Sequence, residues 1–281
     1  MACIIFFRRI HARTSNQPTS GKDFCRKMTR ITGKNLLRTP CCGTFVSAAS
    51  YGSVNLMAHE HWTDGRKVGG LMPGDGGLRV CSCGSYYLLG DCKLVMKITE
   101  PKPVAPPGWE KTKNNWWTRL LGKPTLAEII TKYDIRPLDQ IKDEQLQVPD
   151  STPVNDSELH RIVHAPNLGK QLLIVARRRL WRYLNDPFRE NYRKHKKLHA
   201  ETFPDYRPSA EQIANMHFLA ELLQATYSSH WIEVAELFRE AGDFNASIGA
   251  LKLHTGPKDN FYKSVLYLSI KNQTSPGRFR P

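Results

Sequence analysis

No apolar run in this 281-residue sequence approaches the roughly 20 residues that a membrane-spanning helix needs, so none is expected. The opening run Cys3-Ile4-Ile5-Phe6-Phe7 is too short for a signal-peptide core. Arg8 and Arg9 also follow it, where a signal peptide carries its charge in front. Cysteines are few and odd in number: seven, at positions 3, 25, 41, 42, 81, 83 and 92. That count and the tight pairs exclude a secreted disulfide framework, and neighbours such as Cys41 and Cys42 would be strained as a direct disulfide. A reducing cytoplasm is the expected compartment. Acidic residues are outnumbered, 26 against 41 Lys and Arg, for a net charge of +15. Such a chain suits a negatively charged partner, although a solvated basic surface is the plainer reading. The metalloprotease pattern H-E-x-x-H is absent, since His59-Glu60-His61 lacks its spacing, and no group of residues reads as a catalytic constellation.

The chemistry that is there lies between Arg38 and Cys92. Thr39-Pro40-Cys41-Cys42-Gly43 and Val80-Cys81-Ser82-Cys83-Gly84 are two close cysteine pairs, each followed by glycine. Thiolates are soft ligands, and four in a tetrahedron satisfy Zn²⁺ with no open position. Cys41, Cys42, Cys81 and Cys83 are therefore the expected ligands of a structural zinc. The first pair is C-C and the second C-x-C, both tighter than the usual C-x-x-C. Cys92, His59 and His61 stand as substitutes for whichever of Cys41 and Cys42 does not reach. The glycines allow the φ > 0 turn that aims backbone amides at sulfur. Trp62-Thr63-Asp64-Gly65 is a turn whose tryptophan is expected to pack over the small metal core.

Around that centre the chain divides into five parts. Residues 1–34 read as a disordered basic arm, with Met28 an alternative start. Residues 35–100 are expected to form a zinc-ribbon-like β module, with strands at Thr44-Phe45-Val46, Tyr86–Leu89 and Lys93–Ile98. Residues 101–156 form a linker opened by Pro101–Pro107, with a short helix at Thr125–Tyr133 and docking tryptophans Trp109, Trp116 and Trp117. From 157 to 256 the spacing is helical: Lys170–Leu184, then Asp186 toward Leu198, then a helix opened by the Ser209/Gln212 capping box, then Trp231–Ala241 and Asn245–Leu253. Residues 257–281 read as a tail, with Phe261–Ile270 a helix or a strand and Thr274–Pro281 loose. The fold class expected is α+β, a small β module followed by an α-helical domain.

Arg177, Arg178, Arg182, Arg189, Arg193, Lys194 and Lys197 make helices 170–198 strongly basic, with Trp181, Tyr183, Phe188 and Tyr192 interleaved. They are the residues that would contact an anionic partner. The segment Ala235–Ile248 resembles the middle of a tetratricopeptide (TPR) unit, with small residues at the helix contact and Phe244 in the turn. Solenoids need about three repeats and one is visible, so it reads as a cap or an ordinary helical hairpin.

Several motifs taken together resemble an uncharacterised group of bacterial proteins. They are Arg38–Gly43, Tyr51-Gly52-Ser53-Val54-Asn55, Trp62–Gly65, Leu71-Met72-Pro73, Leu78–Gly84 and Leu180–Arg189. The resemblance covers residues 36–96 and 176–253. It implies a cysteine-rich head joined to a TPR-like helical half, and carries no activity with it.

Three functions follow as expectations. The first is a non-enzymatic adaptor with a structural zinc and a helical surface for a protein partner. The second is nucleic-acid binding through helices 170–198. The third is a zinc hydrolase, which needs an open coordination position and a carboxylate such as Glu60 or Asp64 beside it.

Overall fold

A computed structural model describes residues 30–53, 58–69, 77–99, 135–137, 147–197, 206–227 and 229–279. The basic arm before Arg30, the proline run, Trp109, Trp116, Trp117 and the helix expected at 125–133 lie outside the described residues.

The strands of the first half are β1 (Arg30–Arg38), β2 (Phe45–Ser53), β3 (Glu60–Trp62), β4 (Lys67–Val68), β5 (Leu78–Val80), β6 (Tyr86–Leu88), β7 (Lys93–Thr99), β8 (Ile135–Pro137) and β9 (Thr152–Pro153). The second half holds helices α1 (Leu159–Val163), α2 (Lys170–Leu184), α3 (Asp186–Lys197), α4 (Ala210–Gln224), α5 (Trp231–Glu240), α6 (Phe244–Leu253) and α7 (Asn260–Ile270), and then β10 (Arg278–Phe279). The architecture is α+β, with small sheets first and helices after.

Among the described residues three sheets form, in the orders β2-β1-β7-β8, β6-β5-β9 and β10-β3-β4. Pairing is antiparallel except between β7 and β8, which run parallel. In β1 the consecutive Leu36 and Leu37 are both buried. A pleated strand sends neighbours to opposite faces, so Leu36 packs with Met96 and Ile98 while Leu37 packs with Val46 and Ala48. Each cluster is small. The helical core is far larger, joining Ile174 and Trp181 of α2 to Leu219 and Leu223 of α4, Leu237 of α5, Leu251 of α6 and Val265 of α7. A fourth cluster seats Leu78 of β5 against Leu159 and Ile162 of α1 and Leu180 of α2. The hairpin of the second cysteine pair is thereby part of the helical body.

Local signals set the helix starts. The Ser209 hydroxyl accepts from Gln212 N at 3.2 Å while the Gln212 side chain accepts from Ser209 N at 2.7 Å, the capping box read in the sequence. Asp243 caps α6 and Asp259 caps α7 through the backbone amides of Ala246 and Tyr262. Gly242, at φ +91°, makes the turn between α5 and α6.

Two boundaries differ from expectation. The first sheet opens at Arg30 rather than at 35. The tail is built in: α7 buries Tyr262 and Val265, and Arg278 and Phe279 pair with Trp62 and His61. A two-residue strand has no period to read, and its partner lies more than 200 residues upstream, as the 214-residue separation of Thr63 and Gly277 shows. The tryptophan of the Trp62–Gly65 turn is also placed differently. Its ring meets Tyr192 at 5.2 Å and Phe188 at 6.5 Å, both edge-on, so it packs on α3.

Candidate metal centre

The two cysteine pairs sit in the β1–β2 and β5–β6 hairpins, which belong to different sheets. Their turns share a hydrogen-bond scheme. Thr39 N donates to Thr44 O at 2.9 Å and Gly43 N to Thr39 O at 3.2 Å; Cys81 N donates to Ser85 O and Gly84 N to Cys81 O, both at 2.9 Å. Gly43 and Gly84 take φ of +73° and +83°, a conformation that costs an ordinary L-residue about 1–2 kcal/mol. Thr39 thus stands where Cys81 stands. The first turn is one residue longer, and Cys41 supplies the sulfur that its opening position lacks. This accounts for the C-C spacing.

The sulfurs of Cys41, Cys42, Cys81 and Cys83 all lie within 4.8 Å of one another. Individual separations are 3.9 Å for Cys41–Cys42, 3.4 Å for Cys42–Cys81 and 3.7 Å for Cys83–Cys41. A tetrahedron with Zn–S of about 2.3 Å has edges of about 3.8 Å, so the donor set has the dimensions of a four-thiolate site. Cys81 is buried and the other three are exposed. The substitutes stand apart from this group. Cys92 packs beside Leu37 and Val46 with its thiol raised by burial, His59 is exposed, and His61 leans on Phe279 at 5.8 Å.

A repeated Cys-Gly-[Thr/Ser] step had a second meaning that the cysteine spacing alone did not reveal. The Thr44 hydroxyl lies 3.0 Å from Cys42 Sγ, and the hydroxyl and amide of Thr44 bring the Cys42 thiol down to about 5. The hydroxyl and amide of Ser85 lower Cys83 in the same way. Desolvation and the contact with Cys81 push Cys41 up to about 12. Four thiolates cannot share so small a space uncompensated, and a divalent metal held there would replace the retained protons. Replacing Thr44 by Val and Ser85 by Ala should each weaken zinc affinity by about 10–100-fold at unchanged stoichiometry, as read by competition with a chromophoric chelator.

The basic helices are arranged differently from expectation. Arg178 grips Glu233 at 2.5 and 2.9 Å, and Arg182 donates to the Asp64 carbonyl at 3.1 Å. Arg189 pairs with Asp64 and Asp186, and Arg193 with Glu60 at 3.0 Å. All four arginines thus have partners within the chain, Arg189 fully buried and Arg178 and Arg193 part-exposed. The sequence displays the arginines but not the distant carboxylates that claim them. Arg177 is buried among neutral partners, Lys194 is exposed, and Lys197 ends α3. Trp181 is buried and donates its indole N–H to Glu240 at 2.7 Å, so it offers no stacking surface.

Compared with protein-family models, curated proteins and solved structures, the chain finds no match. Among the described residues no helix is long and apolar enough to cross a membrane.

Proposed function

We propose that the protein is a cytoplasmic, non-enzymatic adaptor in which a structural zinc holds the β-rich part and the helices present a protein-binding surface. One observation carries this reading: four sulfurs from two separate hairpins converge with the dimensions of a closed thiolate site. A closed site has a holding role, because no coordination position remains for a water or substrate. The hydrolase reading fares worse for the same reason. Glu60 and Asp64, its candidate carboxylates, are tied to Arg193 and Arg189.

The helical half supplies the surface. Helices α5 and α6 turn back on one another about Gly242, with α4 and α7 packed beside them, which supports reading them as a tetratricopeptide-like hairpin. Tyr267 and Ile270, in the last turns of α7, leave apolar side chains more than half exposed. Scattered exposed apolar residues are ordinary, but these two, three residues apart, share one face of α7 and suit a partner's apolar face.

The experiment is recovery of a partner complex from extract, with and without nuclease, at low and raised salt. The adaptor reading expects a complex that persists and is lost in Tyr267→Asp and Ile270→Asp. Nucleic-acid binding would instead fall by about 10³–10⁵ in affinity between about 50 and 200 mM salt if six or more phosphates were contacted. That outcome would replace the adaptor with the nucleic-acid reading.

A further inference from the structure

The small sheet β10-β3-β4 and the start of α7 line a cleft of about 490 Å³. Strand register sets Phe279, His61 and Lys67 in a row across the three strands, so their side chains share one face of the sheet. Phe261, in the first turn of α7, stacks on Phe279 at 5.4 Å, and His61 leans on the same ring at 5.8 Å. The cleft thus has an aromatic wall with Lys67 beside it. Asn260 also lines it, and from that residue an exposed stripe runs along α7. Asn260, Lys263, Tyr267, Ile270 and Lys271 recur at helical spacing and are all exposed, so they share one face.

The charges of this surface are one-sided. Lys67, Lys263 and Lys271 are exposed, and no carboxylate among the described residues pairs with any of them. Asp259 is the acid among the cleft's lining residues, and its carboxylate is in use: it accepts from Tyr262 N at 2.9 Å and caps α7. From Phe244 to Phe279 the cations Lys252, Lys258, Lys263, Lys271 and Arg278 stand against that single acid. Apolar anchors framed by cations complement a segment whose own apolar anchors are framed by carboxylates. A helix that lies on an anionic membrane has a continuous apolar face, whereas lysines interrupt this one. The stripe also holds no arginine, and Ile270 has no ring on which a base could stack, which disfavours nucleic acid.

Building on the adaptor reading, we propose that this cleft and the α7 stripe bind a short acidic segment of a partner protein. An aromatic or large apolar side chain of the segment sits in the cleft against Phe261 and Phe279. Its Asp and Glu residues lie beside Lys67, Lys263 and Lys271, with Tyr267 and Ile270 covered between them. The stripe from Asn260 to Ile270 is about 15 Å long, which about five extended residues span, so a linear segment suffices. The cleft lies within the range of about 300–1,000 Å³ typical of binding pockets, ample for one large side chain.

The test is selection of a random peptide library, displayed on phage, against the purified full chain, followed by affinity measurement on the recovered peptides. These should carry an aromatic or large apolar residue flanked by Asp or Glu. Lys263→Glu combined with Lys271→Glu should weaken them about tenfold, and Tyr267→Ser and Lys67→Glu should each weaken them severalfold. The control Lys93→Glu with Lys170→Glu, on β7 and α2, should leave them unchanged. All the substituted side chains are exposed, so the variants should fold as the wild type does. Recovered peptides that need Tyr267 but are neutral or basic would overturn the acidic partner and leave the adaptor reading standing. Peptides indifferent to Tyr267 and the three lysines, or weakened as much by the control, would overturn the site. Anionic vesicles or duplex DNA bound more tightly than the peptides through the same side chains would overturn it too.

Discussion

Replacing Cys81 by serine should release the metal and unfold the first sheet while the helices persist. Cys81 is the buried member of the four and sits in the hairpin that packs on α1 and α2. The opposing sulfurs, Cys41 and Cys42, belong to the β1–β2 hairpin, so a metal at their common centre joins the first sheet to the helical body. Without it that sheet relies on two clusters, each centred on three buried residues. Apparent binding free energies of structural zinc are about 10–16 kcal/mol, as large as the whole stability of an ordinary domain. Hydrogen exchange should therefore lose protection across 30–53 and 93–99 in Cys81→Ser and keep it across 210–270. Cys92→Ser is the control and should keep both metal and protection. A Cys81→Ser protein with native exchange in the first sheet would remove the metal's structural role.

Replacing Asp64 by alanine should cost about 3–5 kcal/mol, because it leaves the buried Arg189 with only the part-exposed Asp186 as counter-charge and frees the Asn185 and Arg66 donors. Asp64 and Arg189 are both fully buried in their side chains. The Asp64 carboxylate also accepts from Asn185 Nδ2 at 3.1 Å and from Arg66 N at 3.0 Å. The Asn185 amide continues to Glu240 at 2.9 Å and accepts from the Tyr206 hydroxyl at 2.6 Å. Glu240 is wholly enclosed, and burial together with Glu236 raises its pKa well above the carboxylate range. The chain of bonds ties the Trp62–Gly65 turn to α2, α3 and α5. Urea unfolding should show the loss in Asp64→Ala, and the double variant with Arg189→Met should recover part of it, since no under-compensated buried cation then remains and Asp186 reaches solvent. Equal losses in the single and double variants would mean that the pair contributes only through packing.

What the residues revealed in advance follows from range. Cys41, Cys42, Cys81 and Cys83 were legible as a set because each pair precedes a glycine, and Gly43 and Gly84 do take positive φ. The helices from 170 to 253 were legible because a 3.6-residue period and capping side chains act within one turn. Thr44 and Ser85 were within reach, since Cys-Gly-[Thr/Ser] occurs twice, but the hydroxyl's approach to sulfur depends on how the turn closes. Asp64 with Arg189 was not legible: 125 residues separate them, and neither carries a local mark of its partner. The pairing of β10 with β3 was hidden for the same reason. The charge of α2 and α3 was visible in the sequence, but the carboxylates that pair with their arginines were not, because they sit on elements far along the chain.

The zinc claim is tested most directly by X-ray absorption at the metal edge of purified protein, with metal content measured on the same sample. The expected result is one zinc per chain, ringed by four sulfurs at about 2.3 Å. A shell containing nitrogen or oxygen donors, or a protein that folds with well under one metal per chain, would contradict it.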